Sequence, residues 1–398
     1  METPALARAY LDHAASTPLY PEVVAALKET LHSLHANPTG MHASARAAKT
    51  ALEEARERIA NLLGCLPHEV IFTGGGTESD NLAVKGVMRG ALSVGDLNGV
   101  VVSAIEHRAM IAPAARLESE GARVAFAPVT TDGIIDLDRL SELLDERTAF
   151  VSVMAVNNEI GTRQPLSEVA RIVRERSPHA VLHTDAVQAP MWVEPEEFML
   201  CDLVTATGHK VGGPRGIGIL VVRDGVKLVA EIEGGGQERG LRAGTPDVAA
   251  AVALALALEI TLARRDETAT RVRALRDRLV SGVLASVPEV VLLGAHNERV
   301  QGFAPFALAG VESESLLVLL DRAGVDAAAG SSCASGATEP SHVLTALGVD
   351  PQFIGGALRC TLGWSTTPEE VEHMIAVLPE AVNRLRALRV DRRDSAVS

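Results

Sequence analysis

Between residues 70 and 222 the chain alternates short apolar runs with longer amphipathic ones. Runs at 70–73, 100–103, 124–127, 149–156, 180–184, 202–205 and 218–222 have strand length and little polar interruption. Segments 77–88, about 110–119 and 166–175 space their apolar residues as helices do. Near-continuous apolar strands separated by helices predict a mainly parallel, seven-stranded sheet covered on both faces, an α/β fold. Upstream, 21–34 and 43–63 read as helices, the first opening on Pro21 and the second closing on Gly64. After Ala250 the alternation loosens. Helices are expected across 248–284, then strand-like pieces at 290–293 and 304–308. A helix at 313–323, a Gly/Ser/Ala loop at 327–338, a strand at 357–362 and a helix at 368–388 follow. The expected division is a large domain over 16–262. A smaller α+β domain takes 263–398, with 1–15 folded back onto it.

Length and composition suit that division. A chain of 398 residues with 47% hydrophobic and 22% charged residues can bury two cores. Aromatics are only 3%, so those cores must be aliphatic. A net charge of −14 disfavours a nucleic-acid surface. Residues 248–258 form the most apolar run, too short to span a bilayer, and no signal-peptide core stands at the N-terminus. The four cysteines, Cys65, Cys201, Cys333 and Cys360, lack metal-ligand spacing, which points to a reducing, cytoplasmic setting and no resident metal.

Ligands of an open α/β sheet sit beyond the carboxyl ends of its strands, and those ends carry unusual residues here. Strand 70–73 delivers Gly74-Gly75-Gly76-Thr77 at a helix start, which suits a phosphate or is simple punctuation. Strand 180–184 delivers Asp185, with Gln188 three residues on; Asp185 could hold a proton on a pyridine nitrogen or merely cap a helix. Glu106-His107 and Asn157-Asn158-Glu159 follow two other strands. His107 could stack on a ring, and an amide there could meet a carboxylate. Lys210, in Gly208-His209-Lys210 between two strands, is an odd structural choice, because lysine is rarely buried unless paired. Its amine can form a Schiff base with the aldehyde of pyridoxal phosphate. Cys333, in Gly330-Ser331-Ser332-Cys333-Ala334-Ser335-Gly336, reads as a nucleophile that must travel. Arg359 lies in an apolar strand, where its fork suits a carboxylate; a buried ion pair is the alternative.

With these motifs the chain resembles the cysteine desulfurases of the class V aminotransferase group, which are fold-type I enzymes using pyridoxal 5'-phosphate. The resemblance rests on Tyr10-Leu11-Asp12-His13-Ala14-Ala15, Thr77-Glu78-Ser79-Asp80-Asn81, Asn157-Asn158-Glu159-Ile160-Gly161, Gly208-His209-Lys210, Gly234-Gly235-Gly236-Gln237-Glu238-Arg239 and Glu339-Pro340-Ser341-His342. It implies that Lys210 carries the cofactor, His107 stacks on its ring, Asp185 pairs with the ring nitrogen and Gln188 with the phenolic oxygen. Gly76, Thr77, Thr207 and His209 would hold phosphate, with Thr245 contributed from the other subunit of a homodimer. Asn158 and Arg359 would fix the substrate carboxylate. Cys333 would take the sulfur of L-cysteine as a persulfide, leave alanine, and pass the sulfur to an acceptor such as an iron–sulfur scaffold or the machinery of tRNA thiolation. Cys333 would then also be a transient ligand to a nascent cluster. Val211-Gly212 departs from the more usual Ile-Tyr of the group, which changes the packing beside Lys210. The rival readings are a selenocysteine lyase, another aminotransferase-fold enzyme, and a catalytically idle sulfur-relay subunit. An aminotransferase has no use for a cysteine on a small-residue loop.

Overall fold

The computed structural model describes residues 8–330 and 340–396, with side chains through residue 388. The chain enters through β1 (Ala9–Tyr10) and two helices, α1 (Pro21–Ser33) and α2 (Ala43–Leu63). The expected alternation follows: β2 (Val70–Thr73), α3 (Gly76–Val94), β3 (Gly99–Ser103), α4 (Arg108–Leu117), β4 (Arg123–Ala127), α5 (Leu137–Leu143), β5 (Thr148–Ser152), α6 (Leu166–Arg176), β6 (Val181–Asp185), α7 (Pro195–Phe198), β7 (Leu203–Thr207) and β8 (Gly218–Val222). The rest comprises α8 (Val248–Ala263), α9 (Arg265–Ser286), β9 (Val290–Leu292), β10 (Phe303–Leu308), α10 (Ser313–Arg322), β11 (Val325–Asp326), α11 (His342–Ala346), α12 (Pro351–Ile354), β12 (Ala357–Thr361) and α13 (Pro368–Ala396).

Seven strands form one sheet in the order β2-β8-β7-β6-β5-β3-β4. Only β8 runs against its neighbours, β2 and β7; the other pairings are parallel. The carboxyl ends of six strands therefore share one edge. Alternate side chains enter different cores. Ile71, Val100 and Val102 pack with α3 and α4, whereas Val70, Phe72 and Val101 join the core that includes α2 and α8. That two-sided burial explains strands with no polar face. Helix α8 is apolar on nearly every side and, Glu259 apart, largely buried.

A third core lies in the C-terminal region, where β12-β10-β9 form an antiparallel sheet against α9, α10 and α13. The N-terminal strand β1 pairs in parallel with β11.

Some expectations change. The strand foreseen over 149–156 ends at Ser152, although the Val153 and Ala155 N–H groups still donate to the His183 and Asp185 carbonyls of β6. The helices expected across 248–284 are two, α8 and α9, parted at Arg264 (φ −102°, ψ 5°). The short elements α5, α7, β11, α11 and α12 carry too few periodic residues to be read from sequence.

Candidate active site

The turns at the carboxyl edge open into one cavity of about 310 Å³. Ten of the residues singled out from sequence border it: Gly76, Thr77, His107, Asn158, Asp185, Gln188, Thr207, His209, Lys210 and Arg359. Thr245 does not; it borders a separate, smaller cavity with Glu238, Arg242 and Asp247. Cys333 lies outside the described residues.

Lys210 sits in a single 3-10 turn, Gly208–Lys210, directly after β7. Its Nζ donates to the carbonyls of Ala14 and, at 2.8 Å, Ala15. Gln188 Nε2 donates to the same Ala14 carbonyl at 2.9 Å. The turn after β1 is thus the platform for two side chains more than 170 residues away in sequence. The departure at Val211-Gly212 has a steric cause. Gly212 has φ +73°, and a Cβ there would meet the Tyr20 ring at 2.4 Å. Tyr20 in turn packs on Trp364, with ring centroids 4.6 Å apart.

Helix α3 starts at Gly76, and its first N–H groups have no acceptor within the helix. At its mouth β8 passes so close that a Cβ on Gly218 would lie 2.8 Å from the Gly75 backbone. Gly74 N–H is engaged by Glu78 Oε2 at 2.9 Å, which leaves Gly76 and Thr77 as the cavity's share of the cradle. Thr207 Oγ1 lies 3.3 Å from His209 Nδ1 and donates to the Ile217 carbonyl at 3.0 Å. Burial pushes His209 down to about 4, and nearby Lys210 and Arg215 add to the shift.

Asp185 is the last residue of β6 and accepts the Val187 N–H at 2.9 Å. Burial raises its pKa, while His107, that N–H and Lys210 pull it down. A cationic ring nitrogen at this point would favour its charged form. His107 caps α4 by accepting the Ala109 N–H on Nδ1 at 3.1 Å. A neutral ring therefore carries its proton on Nε2. Burial, the largest influence, lowers its pKa; Asp185 opposes this, and Lys210 and His342 reinforce it.

The far wall comes from the C-terminal region. Arg359 is buried in β12, and its Nη2 donates to Asp12 Oδ1 at 2.8 Å. Nη1 donates to the carbonyls of Asn158 (3.0 Å) and Gly330 (3.4 Å). The ion pair foreseen as an alternative thus exists, and the guanidinium still borders the cavity. Asn158 is presented by its neighbour. Asn157 Nδ2 donates to the Ile105 carbonyl at 2.9 Å, and Asn157 Oδ1 accepts the N–H groups of Glu159 and Ile160. Cys201 and Cys360 are buried, whereas Cys65 is half-buried.

Four cavity or near-cavity residues carry no chemical signal of their own in the sequence, although the motifs contain them: Asp12, Asp80, Glu159 and His342. Each gains meaning only from partners distant in sequence. A buried carboxylate, a lysine amine and an open helix N-terminus at the carboxyl edge of an α/β sheet define a cofactor-dependent enzyme.

The chain belongs to the Aminotransferase class-V family, which it matches over residues 9–374. Its cofactor is accordingly pyridoxal 5'-phosphate. Among its relatives is an IscS-like cysteine desulfurase of Mycobacterium tuberculosis, 43% identical over 385 residues, which span 95% of this chain and 97% of that protein. A cysteine desulfurase IscS of Dictyoglomus turgidum is 39% identical over 95% of each chain. A solved NifS-like protein superposes with a TM-score of 0.88 at 32% identity, over 94% of this chain and 99% of that one.

Proposed function

We propose that this enzyme is a cysteine desulfurase, converting L-cysteine to L-alanine and carrying the sulfur away as a persulfide on Cys333. The observation that carries this reading is the convergence of Lys210, Asp185, Gln188, His107 and the α3 N-terminus on one cavity whose far wall holds Arg359. The relatives named as cysteine desulfurases supply the substrate.

The residues fit the cofactor. Lys210 offers an amine to its aldehyde, Asp185 a carboxylate to its ring nitrogen, Gln188 an amide to its phenolic oxygen and His107 a flat ring. Gly76, Thr77, Thr207 and His209 would receive its phosphate. Bound there, the cofactor supplies an electron sink for charge developing at the substrate α-carbon. Arg359 and Asn158 hold the substrate carboxylate, as a guanidinium fork does. The Lys210 amine would take the α-proton. Asp185, ionised, keeps a proton on the ring nitrogen. Cys333 attacks the substrate sulfur as a thiolate; the substrate carbon–sulfur bond breaks, a proton replaces sulfur on carbon, and alanine leaves.

The larger assignment includes a homodimer in which Thr245 of each chain completes its neighbour's phosphate site. It also includes a large unit over 16–262, a small one over 1–15 plus 263–398, and a sulfur acceptor such as an iron–sulfur scaffold. That Thr245 borders a cavity other than the one holding Lys210 supports the dimer. A reducing, cytoplasmic setting suits the free thiols of Cys65, Cys201 and Cys360. No helix among the described residues is long and apolar enough to cross a membrane.

Incubation with L-cysteine followed by mass spectrometry tests the reading. Alanine should accumulate with one added sulfur on the Cys333 peptide, discharged when an acceptor is supplied. Alanine without sulfur on that peptide would overturn it.

A further inference from the structure

Beneath the cavity the sheet carries buried polar side chains that the reaction above leaves unused. Ser152 pairs with His183 across β5 and β6, and Thr205 pairs with Asp185 across β6 and β7, which puts all four on one face. His183 Nδ1 lies 2.9 Å from Ser152 Oγ, and its Nε2 lies 3.0 Å from Thr205 Oγ1. Burial pushes this ring down to about 3, so it is neutral, donating to one hydroxyl and accepting from the other.

A buried carboxyl stands near each end of this row. Asp80, from α3, lies 3.6 Å from His183 Nε2 and borders the cavity. Glu106, from the turn after β3, accepts the Met154 N–H on Oε1 at 2.5 Å. Each keeps one oxygen, Asp80 Oδ1 and Glu106 Oε2, buried with no hydrogen-bond partner among the described residues. An ionised carboxylate so placed would suffer desolvation with only partial compensation. Asp185 acts on both as a like charge. Thr205 pulls Asp80 the other way, and the Met154 N–H and Ser152 do so for Glu106, but burial outweighs them. Asp80 is raised well above the usual carboxylate range, and Glu106 to about 8. His107 and Lys210 exert their pull on Asp185.

We propose that Asp80 and Glu106 are positioning residues for Asp185: both stand as neutral acids beside it, so that the one negative charge of this three-carboxyl group rests on Asp185, under the cofactor ring nitrogen. Three charges in this dry floor would repel one another with little to offset them, whereas one charge meets one ring proton. The inference rests on the cofactor role given to Asp185 above.

Infrared difference spectra of the holoenzyme against Asp80→Asn and against Glu106→Gln, taken below neutral pH, test it. Each should show loss of a protonated-carboxyl C=O stretch and no loss of carboxylate bands. In parallel, the pH midpoint of the cofactor's visible absorption should move by less than about half a unit in either variant. Deleting a true charge at this depth would move it by about one unit or more. Loss of carboxylate bands in either variant, or a midpoint shift of that size, would overturn the proposal. The two variants are scored separately, so poor folding of one leaves the other decisive. Failure of the wild-type protein to take up pyridoxal phosphate would instead count against the cofactor reading, while the infrared bands would still report the charge of the two acids.

Discussion

Lys210, Asp185 and Thr207 reach the cavity from neighbouring strands of one sheet, whereas Arg359 reaches it from a separate three-stranded sheet. The floor residues take their places from strand register. Asp185 ends β6 and Thr207 ends β7, and Lys210 follows one turn later. The far wall instead depends on contacts between distant segments. Arg359 is held by Asp12, 347 residues away, and by the carbonyls of Asn158 and Gly330. A floor built by register tolerates local change as long as the sheet forms. A wall built from a few charged contacts depends on each of them.

The largest expected effects lie in the reacting groups. Cys333→Ser should bind cofactor and cysteine yet release no alanine, and Lys210→Ala should lose turnover by about four orders of magnitude or more. Single-turnover alanine assays read both, and near-wild-type alanine release from Cys333→Ser would remove that residue from the reaction. On the wall, Arg359→Ala should lower kcat/KM by about 10²-fold or more, chiefly through KM, because it removes the charge that meets the substrate carboxylate. Asp12→Asn should cost less, about tenfold, since the guanidinium remains but its anchor is weakened. Equal effects would mean that Arg359 matters as half of an ion pair rather than as a carboxylate receptor.

Legibility from sequence followed the same divide. Strand and helix periodicity announce the sheet, and the rule that ligands gather at strand ends points to Lys210, Asp185 and His107. The ion pair of Asp12 with Arg359 carries no local signal, because neither residue's neighbours hint at the other. Asp80 and Glu106 stood within reach of inspection, but on a helix and a turn an acid looks solvated. Only the packing of α3 over β7 and the turn after β3 reveals that they are buried.

Smaller effects concern stability. His13 and His183 are buried neutral, each with its pKa pushed down to about 3 by burial. The unfolded chain therefore binds more protons than the native one below the ordinary histidine value of about 6.5. Stability should fall as pH drops through that value, by up to about 1.4 kcal/mol per pH unit for each ring. Glu106, raised to about 8, has the opposite sign: its contribution is full below about 4.5 and is lost as pH rises toward 8. Denaturant titrations across pH should show a maximum between these limbs, and Glu106→Gln should flatten the alkaline one. Gly212→Ala, which forces a Cβ onto Tyr20 at positive φ, should cost about 1–3 kcal/mol. A stable Gly212→Ala protein would show that the turn beside Lys210 can shift.

The floor's central residue can be tested directly. The chain has five lysines, Lys28, Lys49, Lys85, Lys210 and Lys227; among them Lys210 borders the cavity. Borohydride reduction of the holoenzyme, followed by peptide mapping, should place the pyridoxyl label on Lys210. Label on any of the other four, with Lys210 unmodified, would contradict the whole assignment of the pocket.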